Sequence, residues 1–364
     1  MRRVVTSELI PGMITAEDVY SFNNQLVVGR GTELTDELIT RLEYYSVLSI
    51  RVNDPVQKEP EAVKQHEKTE NQTLSYSERI RSTQQFKEFR EAFVNTSEKL
   101  DNQLHDIIEN NKIDTDDLLS SVSVLLSKEV TTIGMFDMLH NLRTYDDLTY
   151  VHSMNVSLMA NIFGRWLHFS DEDIQVLTLA GLLHDIGKLA VPNNLITKPG
   201  KLTALEYNKV KEHAVEGYKV LKSLDIDERI KQAALMHHER CDGCGYPLGY
   251  KGDQIPDIAK IISIVDVYDA MTAARVYRGP QCPFKVISIF EDEGLKKYDS
   301  RFILPFLENI AQTYMNNRVR LNDGRTGDIV LMRKDNIGRP LLKMTDGSFV
   351  DLATRQNLFI EDFV

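Results

Sequence analysis

The chain has 364 residues, enough for two or three domains, and its 42% hydrophobic and 27% charged residues are the balance of an ordinary globular protein. A formal net charge of −11 argues against general binding of nucleic acid polymers or anionic membranes, although a local cluster of cations could still bind a small anion. Because the sequence has no apolar run of roughly 18 residues, no signal peptide and only three cysteines, we expect a cytoplasmic, reduced protein without a membrane span.

Residues 1–52 have the pattern of a small N-terminal α/β module. EDVYSFNNQLVV contains two short strand-like runs around an Asn-Asn turn, and VLSIRV is typical of a further strand. Thr35 is a suitable N-cap for a helix that extends through Tyr45. Residues 53–75 are polar, charged and nearly free of apolar side chains, so we expect them to form a linker.

Residues 76–140 are expected to form a helical connector. Apolar side chains recur there at three- and four-residue steps, as at Phe86, Phe89 and Phe93, and Asp114 is placed to begin a second helix. These helices can simply pack on the segment that follows. The alternative is a surface for signal relay or dimerisation, which would make a homodimer through residues 76–140.

Residues 141–316 continue the helical pattern, with irregular stretches at 187–202 and 239–256. Thr203 and Glu206 have capping-box spacing and are expected to open a helix after the first irregular stretch. This segment holds the histidines that lie beside carboxylates, so it is the part of the chain in which to look for chemistry.

Residues 317–364 change to a β pattern. RVRLNDGRTGDIVLM and PLLKMTDGSFVDL alternate apolar and polar side chains around Asp-Gly turns, which predicts a small C-terminal β module, either a barrel or a curled sheet. The predicted fold class is mainly α, with a small N-terminal α/β unit and a small C-terminal β appendage. Neither terminal module contains a motif that predicts chemistry, so by position alone we interpret them as regulatory modules or as contacts for a protein partner.

Two apolar helices carry polar side chains that need partners. AGLLHDIGK places His184 and Asp185 at the end of an apolar helix, where Gly187 can end the helix. IISIVDVYDA places Asp266 on a helix with a largely apolar surround. A buried imidazole pair or carboxylate is costly unless it is paired or binds a cation.

The histidine constellation predicts a metal centre. A lone histidine on a helix is more often a buried or surface residue than a ligand, so the prediction depends on the whole set. Several imidazoles with carboxylates suit iron, manganese, zinc or nickel better than magnesium or calcium, and there are too many for one tetrahedral ion. They fit two ions bridged by a carboxylate, as in two-metal phosphoester hydrolysis. The candidates are His152, His184, Asp185, His213, His237, His238 and Asp266.

Five separated stretches between Thr149 and Arg278 resemble, in order, the motifs of the HD-GYP family, a branch of the HD phosphohydrolase superfamily. They are TYVHSMNVSLMA, LLHDIGKLAVP, KEHAVEGYKVL, HHERCDGCGYP and IVDVYDAMTAARVYR. The resemblance implies an all-helical HD-type bundle with two or three metal ions. It also implies hydrolysis of cyclic di-GMP, a bacterial second messenger in signalling, to linear pGpG or onward to GMP. Some members prefer cyclic GMP-AMP.

The resemblance also implies a role for each matching residue. All the candidates above would be metal ligands, and Asp185 would bridge both ions and hold the attacking hydroxide. Lys188 would contact the scissile phosphate and stabilise the charge that develops there. The remaining substrate contacts would come from Gly245, Tyr246, Pro247, Arg275 and Arg278.

The sequence departs from the family pattern at two positions. Members with a third metal carry a glutamate four residues before the first histidine, and that position is Leu148 here, with Asp147 one residue off. We therefore expect two divalent transition metal ions, iron or manganese by resemblance, no third metal, and accumulation of pGpG. The tryptophan usual in HHERxDG is Cys241 here, which changes the shape of the pocket.

The cysteines at C-x-x-C spacing, Cys241 and Cys244, are not expected to be ligands. A structural zinc site needs three or four ligands of its own, and Cys282 lies in a separate loop. A redox C-x-x-C usually opens a helix near a βαβ unit, whereas this one lies in a glycine-rich loop. The alternative is a thiol made sensitive by nearby metals.

The predicted function is a metal-dependent phosphodiesterase that hydrolyses a cyclic dinucleotide with a metal-activated hydroxide. One alternative is a receptor that binds the nucleotide without cutting it, which a missing ligand would favour. The other is an HD hydrolase of a different phosphate ester, against which the Gly-Tyr-Pro loop argues.

Overall fold

The computed structural model describes residues 2–5, 9, 12–20, 26–35, 38–39, 42, 49–53, 76–126, 132–142, 149–196, 198, 202–273 and 281–364. The chain divides into two compact units, Met1–Gln72 and Thr73–Val364. The predicted Asn-Asn turn, nearly all of the predicted linker, and Asp147, Leu148, Arg275 and Arg278 lie outside the described residues.

The first unit is built from short antiparallel strands. They are β1 (Arg2–Val5), β2 (Ile14–Thr15), β3 (Val19–Tyr20), β4 (Leu26–Val28) and β5 (Ser49–Asn53). Strands β1, β5 and β2 form one sheet in that order, and β3 pairs with β4. Thr35 begins a helical turn, because its hydroxyl accepts from the Leu38 N–H at 3.3 Å and its carbonyl accepts from the Ile39 N–H at 2.9 Å. The rest of that predicted helix is largely outside the described residues.

The second unit is mainly helical, as the sequence predicts. Its helices are α1 (Tyr76–Ser82), α2 (Gln84–Asn110), α3 (Thr115–Leu125), α4 (Thr132–Leu142), α5 (Thr149–Trp166), α6 (Asp171–Leu183), α7 (Asn193–Ile196), α8 (Ala204–Lys211), α9 (His213–Lys222), α10 (Glu228–Met236), α11 (Asp257–Thr272), α12 (Pro283–Ile289), α13 (Leu295–Lys297) and α14 (Ser300–Thr313). Shorter helical turns lie at Ile186–Ala190, Gly252–Gln254, Phe290–Gly294 and Leu352–Thr354.

Two predicted helix starts are confirmed by their caps. The Asp114 carboxylate accepts from the Asp117 N–H at 2.9 Å at the start of α3. At the start of α8, the Thr203 hydroxyl and the Glu206 carboxylate each accept from the other's backbone N–H, which completes the capping box. These contacts satisfy N–H groups that have no partner within the helix.

One continuous hydrophobic core runs through the second unit. Phe86, Phe93 and Leu104 of α2 belong to the same buried cluster as the apolar residues of α5, α6 and α11. The cluster continues into the C-terminal sheet through Val319 and Leu342. The boundaries predicted at 140 and 316 stay predictions, but the helices of the expected connector share their core with the segment that follows.

The C-terminal β pattern forms a single antiparallel sheet. Its strands are β6 (Arg318–Leu321), β7 (Thr326–Leu331), β8 (Leu341–Met344), β9 (Phe349–Asp351) and β10 (Ile360–Phe363), in the order β10-β6-β7-β8-β9. Gly324 and Gly347, in the two predicted Asp-Gly turns, have φ of +85° and +83°, a conformation that favours glycine.

The sheet is attached to the helices by polar and aromatic contacts. The Glu291 carboxylate, just after α12, accepts from the N–H of Ile337 at 2.6 Å and of Gly338 at 2.9 Å. The Phe363 ring of β10 lies 4.9 Å from the Tyr314 ring and 6.0 Å from the His140 ring. The last strand of the sheet therefore packs directly on the helical core.

Candidate metal centre and substrate site

The structure brings all the predicted ligand residues together. They come from one position on α5, the residues just after α6, the first residue of α9, the two residues after α10 and the middle of α11. They form two neighbouring groups, and within each group the ligand atoms lie within 4.8 Å of one another. The groups are Asp185, His213, His237 and His238, and then His152, His184 and Asp266.

The prediction that Gly187 ends the helix before His184 and Asp185 is wrong. Helix α6 ends at Leu183, and Gly187 does not end it but lies within the 3₁₀ turn Ile186–Ala190. A Cβ on Gly187 would lie 2.0 Å from the carbonyl oxygen of His213. The glycine is therefore needed for close packing, because it lets the segment after Asp185 lie directly against the start of α9.

Three imidazoles are oriented by backbone carbonyls. Each donates its Nδ1–H to a carbonyl of the preceding turn, which leaves the Nε2 lone pair directed into the site. The pairs are His184 with Gly181 (2.8 Å), His213 with Val210 (2.7 Å) and His237 with Ala234 (3.0 Å). Metal-binding histidines commonly make such a bond, because it fixes both the tautomer and the ring orientation.

The imidazole contacts fit a bound cation. The Nε2 atom of His213 lies 3.4 Å from Nε2 of His237 and 3.1 Å from Nε2 of His238. Burial lowers the pKa of both His213 and His237, so both rings are neutral, and since each donates its Nδ1–H to a carbonyl, the Nε2 atoms are acceptors. Burial likewise lowers the pKa of His238 to about 3. The Nε2 atoms of His213 and His237 are both acceptors and cannot bond to each other, whereas a divalent metal ion between them satisfies both.

Asp185 lies between the two groups of ligands. Its Oδ1 atom is 3.4 Å from Nε2 of His213 and 3.7 Å from Nε2 of His237. Its Oδ2 atom is 3.3 Å from Nε2 of His184 and 3.6 Å from Nε2 of His152. One carboxylate thus presents one oxygen to each group, which is the geometry that a bridging ligand requires.

Asp185 is ionised although it is buried. Burial raises the pKa of its carboxyl, but nearby positive charge, chiefly the Lys188 ammonium, lowers it by more, so the pKa is well below its usual range. Lys188 contacts Oδ2 of Asp185 directly, and its side chain is 23% exposed. Its ammonium can therefore reach both the carboxylate and a ligand in the cleft.

Asp269 was not singled out in the sequence, although it orients a predicted ligand. Its Oδ2 atom accepts from Nδ1 of His152 at 2.7 Å, while Nε2 of His152 lies 3.0 Å from Oδ1 of Asp266. Burial lowers the pKa of His152, but the two carboxylates raise it to about 9. The available signal was the three-residue spacing of Asp266 and Asp269, which puts both on one helix face.

Replacing Asp269 with asparagine is expected to weaken metal binding by about 10- to 100-fold, the usual effect of losing a carboxylate behind a histidine ligand. The amide keeps the shape but removes the charge that holds His152 in place. Chelator competition followed by metal analysis measures the affinity. Asp257→Asn, in the first turn of the same helix, is the control, and equal affinity in the two variants would contradict the role of Asp269.

The Gly-Tyr-Pro loop covers one edge of the ligand cluster. The Tyr246 ring stacks on His238 with centroids 4.6 Å apart, and the bond from Tyr246 to Pro247 is cis. A Cβ on Gly245 would lie 2.4 Å from the backbone N of Arg240. A glycine is therefore required where the loop packs against the backbone that follows the histidine pair. Burial raises the pKa of Tyr246, which keeps its phenol neutral.

Glu239 fixes this loop and was also missed in the sequence. Its side chain is buried, with 2% of the residue exposed. Oε1 accepts from the N–H of Leu248 at 2.6 Å and of Gly249 at 3.1 Å, and Oε2 accepts from the N–H of Tyr250 at 3.0 Å. The residue next to the histidine pair thus holds the chain that follows the Gly-Tyr-Pro loop.

The Glu239→Gln variant is expected to lose about 1–3 kcal/mol of unfolding free energy, because the amide offers one acceptor where three N–H groups need partners. Urea unfolding followed by circular dichroism measures the loss. Glu228→Gln, at the exposed start of α10, is the control. A variant as stable as this control would show that the N–H groups find other partners.

Two predicted arginine contacts and the three cysteines remain to be located in the structure. Arg275 and Arg278 lie outside the described residues. The cysteines Cys241, Cys244 and Cys282 are free thiols. In the part of the chain that the structure describes, neither ligand group contains a cysteine.

Comparison with known proteins gives the family. Residues 115–302 match the family model described as HD domain. The chain belongs to the HD domain family, and its motifs are those of the HD-GYP branch. Among the described residues, no helix combines the length and apolarity that a bilayer crossing requires.

Curated relatives match about half of the chain or less. The cyclic di-GMP phosphodiesterase PA4108 of Pseudomonas aeruginosa is 34% identical over 205 residues, which cover 56% of this chain and 49% of that protein. The 3′3′-cGAMP-specific phosphodiesterase 3 of Vibrio cholerae is 40% identical over 141 residues, covering 39% and 31%. This chain therefore spans about half the length, or less, of these relatives. Bd1817, a HDG"Y"P protein from Bdellovibrio bacteriovorus, aligns with 84% of this chain and 97% of its own at 16% identity and a TM-score of 0.47.

Proposed function

We propose that the chain is a metal-dependent phosphodiesterase that hydrolyses a cyclic dinucleotide to the linear dinucleotide in cytoplasmic signalling. The observation that carries the proposal is the position of Asp185, with one carboxylate oxygen toward each of two ligand groups. The printed names of the relatives, phosphodiesterases of cyclic di-GMP and of 3′3′-cGAMP, support the substrate class. Cyclic di-GMP is the first substrate to test, and cyclic GMP-AMP is the second.

The proposed cofactor is a pair of divalent transition metal ions, iron or manganese. One group of ligands would hold each ion, with Asp185 shared between them. When bound, such ions supply an activated water as nucleophile and screen the charge of the phosphate. Leu148 cannot replace the carboxylate that a third ion would need, so we propose two ions and pGpG as the final product.

The charges of the candidate site favour an anionic substrate. Neutral imidazoles at His213, His237 and His238 leave the charge of the metal ions uncancelled, which favours a phosphodiester in a protein of net charge −11. Lys188 is partly exposed beside Asp185, and we assign it to stabilising the charge that develops on the phosphoryl oxygens.

The Tyr246 ring would bound the pocket next to His238. By family resemblance, Gly245 and Pro247 complete that wall, and Arg275 and Arg278 hold the phosphates. These roles can be tested one by one with the substrate once turnover has been measured.

The test is incubation of anaerobically purified protein with cyclic di-GMP or cyclic GMP-AMP and Mn²⁺ or Fe²⁺, with products resolved by chromatography. We expect pGpG to form from cyclic di-GMP and to disappear with EDTA and in His184→Ala. His105→Ala, an exposed histidine on α2, is the matched control and should retain full activity.

Two results would contradict the proposed phosphodiesterase activity and favour another function. Nucleotide binding without turnover by the metal-loaded wild type would indicate a receptor. Turnover of other phosphate esters, with none of either cyclic dinucleotide, would indicate a hydrolase of another substrate.

We also propose association of two copies through α1 to α4. Val94 of α2 and Val124 of α3 are 47% and 62% exposed, and they are apolar side chains that a second copy would cover. Light scattering after size-exclusion chromatography measures the mass, and a monomer at micromolar concentration would contradict this association. A protein partner of the terminal modules stays a prediction.

A further inference from the structure

Helix α8 lies at the rim of the site and buries none of its residues. A helix of a globular protein ordinarily buries one apolar face. Instead, α8 is fastened at its start by the capping box and by the Lys198 ammonium, which lies 2.7 Å from the Glu206 carboxylate. Leu205 is 82% exposed and Tyr207 is 50% exposed. Core packing therefore does not explain the large aromatic side chain on this helix.

Tyr207 is connected to the ligand cluster through two side chains. The Lys211 ammonium lies 5.2 Å from the centroid of the Tyr207 ring and 5.6 Å from that of Tyr246. Both distances are within the roughly 6 Å range of a cation–π contact. Tyr246 in turn stacks on His238. A row of aromatic and cationic groups thus runs from the candidate metal centre to α8.

The charge of Lys211 is available to a ligand. The four-residue spacing puts Tyr207 and Lys211 on the same face of α8. No carboxylate among the described residues forms an ion pair with Lys211, whereas the neighbouring Lys209 pairs with Glu212 at 2.6 Å. An aromatic face beside a lysine without an acidic partner suits a ligand that has a flat ring and a negative charge.

We propose that Tyr207 and Lys211, with Tyr246, form a subsite for the purine base and phosphate in the half of the cyclic dinucleotide that is not cut. This inference rests on the proposed function. A cyclic dinucleotide has two bases and two phosphates, and one phosphate occupies the metal centre during hydrolysis. The other half must then lie outside the ligand cluster. The row of aromatic and cationic groups begins at the edge of that cluster.

The chemistry of the three side chains fits this ligand. A base stacked on an aromatic side chain gains about 1–3 kcal/mol, and any purine can provide the flat face. The Lys211 ammonium acts as a point charge for the phosphate. Tyr207 and Lys211 contact substrate in this assignment but do not touch the reacting bond, so they determine affinity and specificity.

The test compares Tyr207→Ala, Tyr207→Phe and Lys211→Met with Leu205→Ala in the manganese-loaded full chain. Steady-state kinetics with cyclic di-GMP give KM and kcat, and calorimetry gives the affinity for pGpG without turnover. In Tyr207→Ala we expect KM and the Kd of pGpG to rise by about 10-fold, which is 1.4 kcal/mol, while kcat falls less than about threefold. Tyr207→Phe should retain wild-type values, because the ring remains.

The controls separate this inference from the proposed function. Leu205→Ala removes a more exposed apolar side chain from the same helix and should change neither KM nor Kd. Lys211→Met should raise Kd and reduce its dependence on salt. Unchanged KM and Kd in Tyr207→Ala would overturn the subsite while leaving the phosphodiesterase in place. A wild type that cuts bis(p-nitrophenyl) phosphate but no cyclic dinucleotide would overturn the proposed substrate, and the subsite with it.

Discussion

Replacing Asp185 with asparagine is expected to remove the bound metal and to slow hydrolysis of cyclic di-GMP by at least about 10³-fold. Asp185 has one carboxylate oxygen directed toward each of the two ligand groups, 3.3 Å from Nε2 of His184 and 3.4 Å from Nε2 of His213. The amide keeps its size but has no negative charge, so the group of His213, His237 and His238 would have no carboxylate of its own. Metal ions supply several kcal/mol of transition-state stabilisation in phosphoester hydrolysis, and each 1.36 kcal/mol is tenfold in rate.

The measurement is metal content by mass spectrometry together with the rate of pGpG formation. Asp171→Asn, which removes an exposed carboxylate from the first turn of α6, is the charge-matched control and should bind metal normally. Asp185→Asn with wild-type metal content and rate would show that the carboxylate does not bridge the two groups.

Replacing Gly187 with alanine is expected to lower the free energy of unfolding by about 3 kcal/mol and to displace His213. The added Cβ would lie 2.0 Å from the carbonyl oxygen of His213 and 2.4 Å from the backbone N of Gly217. Both are backbone atoms, so no side-chain rotation can relieve the contact. Overpacking of this kind typically costs 1–3 kcal/mol, and here the upper end is expected.

Urea unfolding measures the loss of stability, and metal analysis measures the effect on the site. Gly252→Ala is the matched control, because its added Cβ would meet nothing closer than 3.4 Å and its φ is not in the left-handed region. If Gly187→Ala matches this control in stability and metal content, the backbone there can separate at little cost, and the packing explanation fails.

The sequence was sufficient where a local rule acts within one helical turn or one turn between strands. Thr203 with Glu206 and the cap at Asp114 depend on spacing alone, and the Asp-Gly turns depend on the conformational freedom of glycine. The candidate ligands could be singled out because His184, Asp185 and Asp266 stand on otherwise apolar segments, where an unpaired polar group is costly, and because the whole set matches motifs of a known family.

The sequence was insufficient where two distant segments meet. In the sequence Glu239 is an ordinary polar residue. Only the fold shows that it accepts from the three N–H groups of residues 248–250. From the sequence alone Gly187 is expected to end a helix, whereas in the structure it packs against the backbone of α9. Asp269 shares a helix face with Asp266, but spacing does not tell what faces that side, and the partner, His152, is on another helix. In each case the missing fact was a tertiary contact.

The attachment of β10 to the helices has a consequence for biosynthesis. Phe363 packs on Tyr314 and His140, so part of the helical core is covered by residues that leave the ribosome long after Asp266 has emerged. A nascent chain in which all the candidate metal ligands have emerged still lacks the strand that closes that side of the core. That side of the core should therefore finish folding only after residues 360–363 have been synthesised, later than the segments that carry the candidate ligands.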